Sequence, residues 1–358
     1  MPNSNSSLAE ASPQKTSEGI VPPAIADYRA GHKCTFNGEP SPLVSAVIPT
    51  RNRPEMVCRA VRCALSQTYR NLEVVVVIDG PDPATKEALE GFNEPRLRIV
   101  ALSENVGGSE ARNQGVRNAR GEWIAFLDDD DEWLPEKIEK QLAAAATMSE
   151  PLSFVACQFV DRDRYGQRVF PMVNRNSDAP FSEYLLCRTG FFTGSGYVQT
   201  STWLVSKQLA DRCPFTPRLK RNQDLDWMLR AMSIPDAHFR LVREPLSIFN
   251  SVQHDGRVSK SADWEFHYRW AIENRRYFTR RALAYFLSTT CLEDAVRQGR
   301  RLPAGSKLMR AILRYGDASF TSFLYFFYYF FVSEDLRQRS RSAVASLRNL
   351  KTRSNLCG

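Results

Sequence analysis

The apolar pattern of this chain starts at Leu43, where "LVSAVIP" gives a short hydrophobic run that predicts a strand, followed by the loop "TRNRPE". In "PEMVCRAVRCALSQ", Met56, Val57, Ala60, Val61, Ala64 and Leu65 recur at helical spacing. Pro54 suits the first turn of that helix, where its missing N–H costs nothing. "LEVVVVID" then places four valines in a row, the pattern of a strand buried on both faces of a parallel sheet. "RLRIVAL" predicts a third strand, "GSEARNQGVRNA" a helix, "EWIAFLDDDD" a fourth strand ending in acid, "PEKIEKQLAAAATM" a helix and "SFVACQFV" another strand. Further on, "YVQTSTWLVS" (residues 197–206) predicts a strand, "NQDLDWMLRAM" a helix and "HFRLVRE" a strand, while residues 262–300 look helical and basic. Strand–helix alternation over residues 43–160 predicts an α/β fold: a Rossmann-like layer with a mixed, mainly parallel sheet, plus a C-terminal helical extension.

Composition narrows this picture. The chain has 358 residues, 43% of them hydrophobic and 25% charged, which excludes a wholly disordered, collagen-like or disulfide-scaffold chain. The net charge of +8 permits an anionic partner without demanding one. None of the eight cysteines forms a C-x-x-C pair, and with four histidines a structural zinc site is not expected. The cysteine pattern fits a reducing compartment. Residues 1–40 are polar and Pro/Ser-rich, without a secretory signal, and read as a disordered leader. No stretch reaches the ~18–20 apolar residues of a membrane span.

The candidate chemistry gathers where parallel strands end, the usual ligand edge of such a sheet. Thr50–Asn52, Asp79 and Asp128–Asp131 all fall at predicted strand ends. Two like charges ~4 Å apart repel by about 4 kcal/mol at an effective dielectric of 20, so four consecutive aspartates call for a cation. On an extended segment Asp128 and Asp130 would point one way, Asp129 and Asp131 the other. Hard oxygen donors favour Mg²⁺ or Mn²⁺ over zinc. The same acids also fit a solvated turn capping the next helix.

"VSAVIPTRNRPEMVCRAVRCALSQTYRNLEVVVVIDG" followed by "NVGGSEARNQGVRNARGEWIAFLDDDDEWLPEKIEKQ" resembles the N-terminal half of family 2 glycosyltransferases, which have the A-type glycosyltransferase fold. The resemblance implies that Pro49, Thr50 and Asn52 form the first nucleotide-contacting loop, and that Asp79 reads the base. It implies that Gly107, Gly108 and Arg112 pass the ribose and diphosphate. "LDDDD" resembles the D-x-D motif, with Asp128 and Asp129 toward the nucleotide sugar, Asp128 and Asp130 toward the metal and Asp130 as its direct ligand. Each has a plainer reading beside it: Asn52 and Asp79 in turns, Arg112 as an ion-pair partner, the glycines as a bend.

"LKRNQDLDWMLRA" resembles the family's "ED" segment, with Gln223 in place of glutamate and Asp224 at the position of the catalytic base. Helix capping by Asp224 or Asp226 is the plainer alternative. The implied reaction is an inverting transfer from a nucleoside diphosphate sugar to a glycan or lipid-linked sugar acceptor. His254 is a further candidate metal ligand by the same resemblance, and Arg257 could approach the diphosphate. Gln199, Thr200 and Ser201 are candidates to face the acceptor, and Trp203 and Trp227 to stack on a sugar or fill core.

"FTSFLYFFYYFF" (residues 320–331) places Phe320, Phe323, Phe327, Phe330 and Phe331 on one helical face. A helix from Ala318 to Val332 spans about 22 Å, too short for a ~30 Å bilayer core. It suits either a C-terminal helix docked on the catalytic domain or an interfacial one, with Tyr325, Tyr328 and Tyr329 near headgroups. In the second case residues 318–358 would meet an anionic membrane surface, since the tail from Ser333 holds six basic and two acidic residues. The expected organisation is a leader (1–40), a catalytic domain (41–255, with donor half 43–145 and acceptor half 146–255), a helical extension (256–332) and a basic tail (333–358). The expected setting is cytoplasmic, peripheral on the inner face of the cell membrane, in surface polysaccharide synthesis. A dehydrogenase would need G-x-G-x-x-G after the first strand, a hydrolase G-x-S-x-G. A sugar nucleotidyltransferase would need a glycine-rich triphosphate loop, and a nucleic-acid binder a recognised module. A non-catalytic nucleotide-sugar-binding module remains the alternative from another class. Phe266 in "FHYRW" occupies the glutamine position of the Q-x-x-R-W motif of processive synthases, so one sugar per encounter is expected.

Overall fold

A computed structural model describes residues 41–163, 166–173, 179–188, 196–250, 263–333, 336 and 337. The leader, His254, Arg257 and the tail beyond Arg337 lie outside the described residues. The chain runs β1 (Val44–Thr50), α1 (Pro54–Leu65), β2 (Leu72–Ile78), α2 (Pro83–Glu90), β3 (Leu97–Ala101), α3 (Gly108–Asn118) and β4 (Trp123–Phe126). It continues through β5 (Glu132–Trp133), α4 (Lys137–Ala145), β6 (Leu152–Asp163), β7 (Gly166–Phe170), α5 (Phe181–Leu186), β8 (Trp203–Ser206), α6 (Lys207–Arg212), α7 (Gln223–Ala231) and β9 (Ala237–Asn250). Helices follow: α8 (Trp264–Glu273), α9 (Arg280–Phe286), α10 (Leu292–Arg297), α11 (Arg301–Tyr315) and α12 (Phe320–Phe331).

One sheet runs in the order β3-β2-β1-β4-β8-β6-β9-β5, with β7 paired to β6. β3, β2, β1 and β4 are parallel neighbours. β8 is antiparallel to β4 and β6, and β6 and β9 are parallel. The valine run shows why the first half folds this way. Val74 and Val76 pack with Val57, Val61 and Leu142, while Val75 and Val77 pack with Ala111 of α3. Both faces of β2 are thus apolar-covered, which forces crossover helices onto either side. Because β1, β2 and β4 run in one direction, their C-terminal ends share an edge.

The far face carries the larger core. Trp203, Phe215 and Trp227 stack there, with Trp203 and Trp227 ring centroids 4.9 Å apart. Both tryptophans are buried, so they fill core and do not offer a sugar platform. The same cluster continues through α8, α9, α10 and α11 to Tyr325 and Tyr329 of α12.

Two expectations need correction. Residues 197–206 do not form one strand: a 3₁₀ turn at Thr200–Thr202 precedes the four-residue β8. Gln199, Thr200 and Ser201 are buried. In α12 the tyrosines are not the outward groups. Tyr325 and Tyr329 are buried with Phe326, whereas Phe320, Leu324, Phe327 and Phe331 are exposed and Phe330 turns inward. Among the described residues no helix is long and apolar enough to cross a membrane.

Candidate active site

The four aspartates do not continue β4 as an extended segment. They form a tight turn closed by the Asp131 N–H donating to the Asp128 carbonyl at 3.1 Å. The expected alternation of side chains is therefore absent, and each acid has its own neighbour. Asp128 receives the Arg112 guanidinium at 2.5 Å. Asp129 accepts from the Thr50 hydroxyl at 2.8 Å and from Arg53 at 2.9 Å. Asp130 lies 3.5 Å from the same Arg53 nitrogen. Asp131 accepts from the Ser201 hydroxyl at 2.6 Å. Two arginines thus offset much of the repulsion that a bare run of acids would suffer.

Ser201 fastens this turn from beneath. Its hydroxyl also accepts the Asp128 N–H at 3.0 Å, and its carbonyl accepts the Trp133 indole N–H at 2.7 Å. The turn is held by buried bonds on one side and presents Asp128, whose side chain keeps 30% of its exposure, on the other. Burial pushes the Asp129 carboxyl up to about 6, with Asp130 adding to the rise and Arg53 and Thr50 opposing it.

The other strand ends converge on this turn. Pro49 and Thr50 end β1, beside Val77 and Ile78 of β2. Asn52 has a left-handed φ of 53°, and its N–H donates to Asp82 at 2.6 Å. Burial alone would raise the Asp82 carboxyl; hydrogen bonds from Thr85 and Asn52 outweigh that and hold it below the usual range. Asp79 follows β2, and its carboxylate accepts the N–H groups of Val106 at 2.7 Å and Gly107 at 3.0 Å. It ties the approach to α3 in place. Gly107 at the start of α3 has φ +85°, a conformation that L side chains avoid.

Arg112 joins the halves of the site. Its guanidinium reaches Asp128 on one side and donates to the Gln223 side-chain carbonyl at 2.9 Å on the other. It lies over the Phe215 ring at 5.5 Å. Gln223 opens α7 and is itself fixed by donation to the Leu219 carbonyl at 2.7 Å. The next residue, Asp224, accepts from the Tyr197 hydroxyl at 3.1 Å. Burial pushes the Asp224 carboxyl above its ordinary value, Arg112 pulls the other way and Asp128 reinforces the rise. Asp226 faces elsewhere, accepting from Thr216, Arg230 and the Trp270 indole. It anchors α7 to α8.

Arg53, Tyr197 and the linking role of Gln223 were not evident in the sequence. Arg53 stands one residue beyond Asn52 in the first loop, which is a usable signal; Tyr197 carries none. Among the described residues no three His, Cys, Asp or Glu side chains are arranged as a metal cage. Carboxylate oxygens such as those of Asp128 and Asp130 are the hard donors that Mg²⁺ and Mn²⁺ take, commonly one or two of them with water and substrate phosphates completing the shell.

Sequence comparison finds a family resemblance over part of the chain. Residues 45–203 match the Glycosyl transferase family 2 model. The amylovoran biosynthesis glycosyltransferase AmsB of Erwinia amylovora is 27% identical over 245 residues, covering 66% of this chain and 79% of that protein. The succinoglycan biosynthesis protein ExoO of Rhizobium meliloti is 34% identical over 129 residues, covering 36% of this chain and 37% of that protein. The crystal structure of S. aureus TarS residues 1–349 shares the fold at a TM-score of 0.50 and 18% identity, covering 75% of this chain and 81% of that one. The mixed sheet with its helical layers is accordingly the A-type glycosyltransferase fold, and residues 45–203 are similar to glycosyl transferase family 2.

Proposed function

We propose that this protein transfers one sugar, with inversion, from a nucleoside diphosphate sugar to a hydroxyl of a glycan or lipid-linked sugar acceptor. The observation that carries this reading is the Arg112 bridge. One guanidinium spans Asp128 at the end of β4 and Gln223 beside Asp224, so a donor-side acid and a candidate base share a single charged centre.

The donor would lie along the shared strand edge. Thr50, Asn52 and Pro49 border the nucleotide, with Asp79 holding the loop at Val106–Gly107 beneath it. The start of α3, which no side chain at Gly107 caps, offers the diphosphate a site at a helix N-terminus. Asp130 and Asp128 would hold a Mg²⁺ or Mn²⁺ ion, which when bound neutralises charge on the departing diphosphate. Arg53 and Arg112 stabilise the same region permanently, since guanidinium groups stay protonated.

Asp224 takes the acceptor proton. Its raised affinity for protons suits a base, because a carboxylate that binds its proton more tightly removes one from a hydroxyl more readily. Tyr197 donates to the carboxylate and fixes its orientation. With the base on one side of the sugar and the diphosphate on the other, a single displacement inverts the anomeric centre. The relatives named for amylovoran and succinoglycan biosynthesis support a role in surface polysaccharide synthesis. Cytoplasmic nucleotide sugars would then meet acceptors at the inner face of the membrane.

The test is a transfer assay with radiolabelled UDP- and GDP-sugars, using a membrane extract as acceptor. Transfer from one donor by the native chain, and roughly 10²–10⁴-fold less by Asp224→Asn, is expected. No transfer from any donor, or equal transfer by the variant, contradicts the reading.

A further inference from the structure

α12 has two unlike faces. Ser322, Tyr325, Phe326 and Tyr329 are buried against the helical layer. Phe320, Leu324, Phe327 and Phe331 recur at four, three and four residues, within about 60° of one another around the helix. They are 80%, 38%, 49% and 68% exposed. Large apolar side chains in a contiguous exposed stripe mark a contact surface. No charged residue interrupts the segment from Ala318 to Ser333.

α11 extends this surface. The Phe330 ring packs where a Cβ on Gly305 would stand, at 2.6 Å, so the two helices touch there. The Arg301 guanidinium lies 5.9 Å over the same ring. Leu302 and Leu313 share another face of α11, roughly 60–80° around from Gly305, and both are exposed. Between Asp294 and Asp317 the chain has Arg297, Arg300, Arg301, Lys307, Arg310 and Arg314 and no carboxylate. Beyond Arg337, which is occupied internally by Glu293 and the Val332 carbonyl, residues 338–358 add five Lys and Arg and again no carboxylate.

We propose that the joint surface of α11 and α12 docks on an anionic lipid bilayer. The twelve residues of α12 reach only about 18 Å, so the helix lies in the interface and does not cross it. Its stripe enters the acyl boundary, while the arginines and lysine of the stretch before and along α11 meet anionic headgroups. Charge is what selects a lipid surface over a second copy of the chain. Two copies would bring cationic segments together. This inference stands apart from the sugar-transfer reading, because lipid binding needs neither donor nor base.

The experiment is cosedimentation of the full chain with phosphatidylcholine vesicles and with vesicles containing phosphatidylglycerol as well. Binding to the anionic vesicles roughly 10-fold or more tighter than to neutral ones, falling with added salt, is expected. The combined variant Phe320→Ser, Phe327→Ser, Phe331→Ser should lose that binding while keeping the native thermal melt. The pair Arg310→Gln, Arg314→Gln should weaken it and leave the aromatic stripe intact, which keeps the test open if the first variant misfolds. No preference for anionic vesicles overturns the proposal. So does unchanged binding by a folded serine variant, or a dimer by light scattering that the serine variant dissolves in the absence of vesicle binding.

Discussion

Arg112, Gln223 and Asp224 form a chain of dependence at the level of single side chains. Gln223 gives Arg112 a neutral partner, so the guanidinium keeps its full charge for Asp128 and Asp224. Gln223→Glu would place a second carboxylate beside Asp224 and compete for that charge. Like charges favour the protonated form, so Asp224 should bind its proton more tightly still. The acid limb of the pH–rate profile should therefore move to higher pH, with activity lost sooner as pH falls. Asp224→Asn should lower transfer by roughly 10²–10⁴-fold and leave donor binding nearly intact. Calorimetry with the donor, beside the transfer assay, separates the two effects. Thr50, Asp79 and the four acids were legible in the sequence because each follows a run of apolar residues that had to be a buried strand. The Arg112–Gln223 contact was not, since 111 residues separate its partners and only the folded core brings them together.

Elements show the same division. The unbroken run Val74 to Val77, packed alternately against the two faces, made β2 readable from the sequence pattern alone. At Asp128–Asp131 the sequence left an extended segment and a turn both open, because the choice depends on Ser201 beneath it. α12 was readable as a helix, yet with aromatic residues on every face nothing in its sequence said which face would dock. In α4, Lys137 is fully buried against the Trp133 ring at 4.3 Å, and its ammonium donates to Gln141 at 2.6 Å. Burial pulls it down to about 8, opposed by Cys157. The unfolded chain holds this proton more tightly, so the group's contribution to stability rises with pH between about 8 and 10.5. Lys137→Met removes that dependence. Its stability relative to the native chain should be greatest below pH 8 and fall by up to about 3 kcal/mol across that window. Urea midpoints measured at several pH values check this; a constant difference would contradict it.

At the scale of the whole molecule, one apolar cluster runs from Val47 of β1 to Tyr329 of α12. The Trp270 indole of α8 donates to Asp226 of α7, and Arg280 of α9 donates to the Gly316 carbonyl after α11. The helical extension therefore completes the core under α7, the helix that carries Asp224. A chain ended after Asn250 should expose that cluster and lose its cooperative thermal melt; a sharp melt at the native temperature would show that the catalytic half folds alone. The central claim is that the turn at Asp128–Asp131 receives a nucleoside diphosphate together with a divalent ion. It is met most directly by titration calorimetry of the full chain with UDP and GDP, with and without Mn²⁺, repeated on Asp130→Ala. One nucleotide should bind only when Mn²⁺ is present, and the variant should lose this binding. Nucleotide binding that needs no ion and survives the substitution, or no binding of either nucleotide, would contradict it.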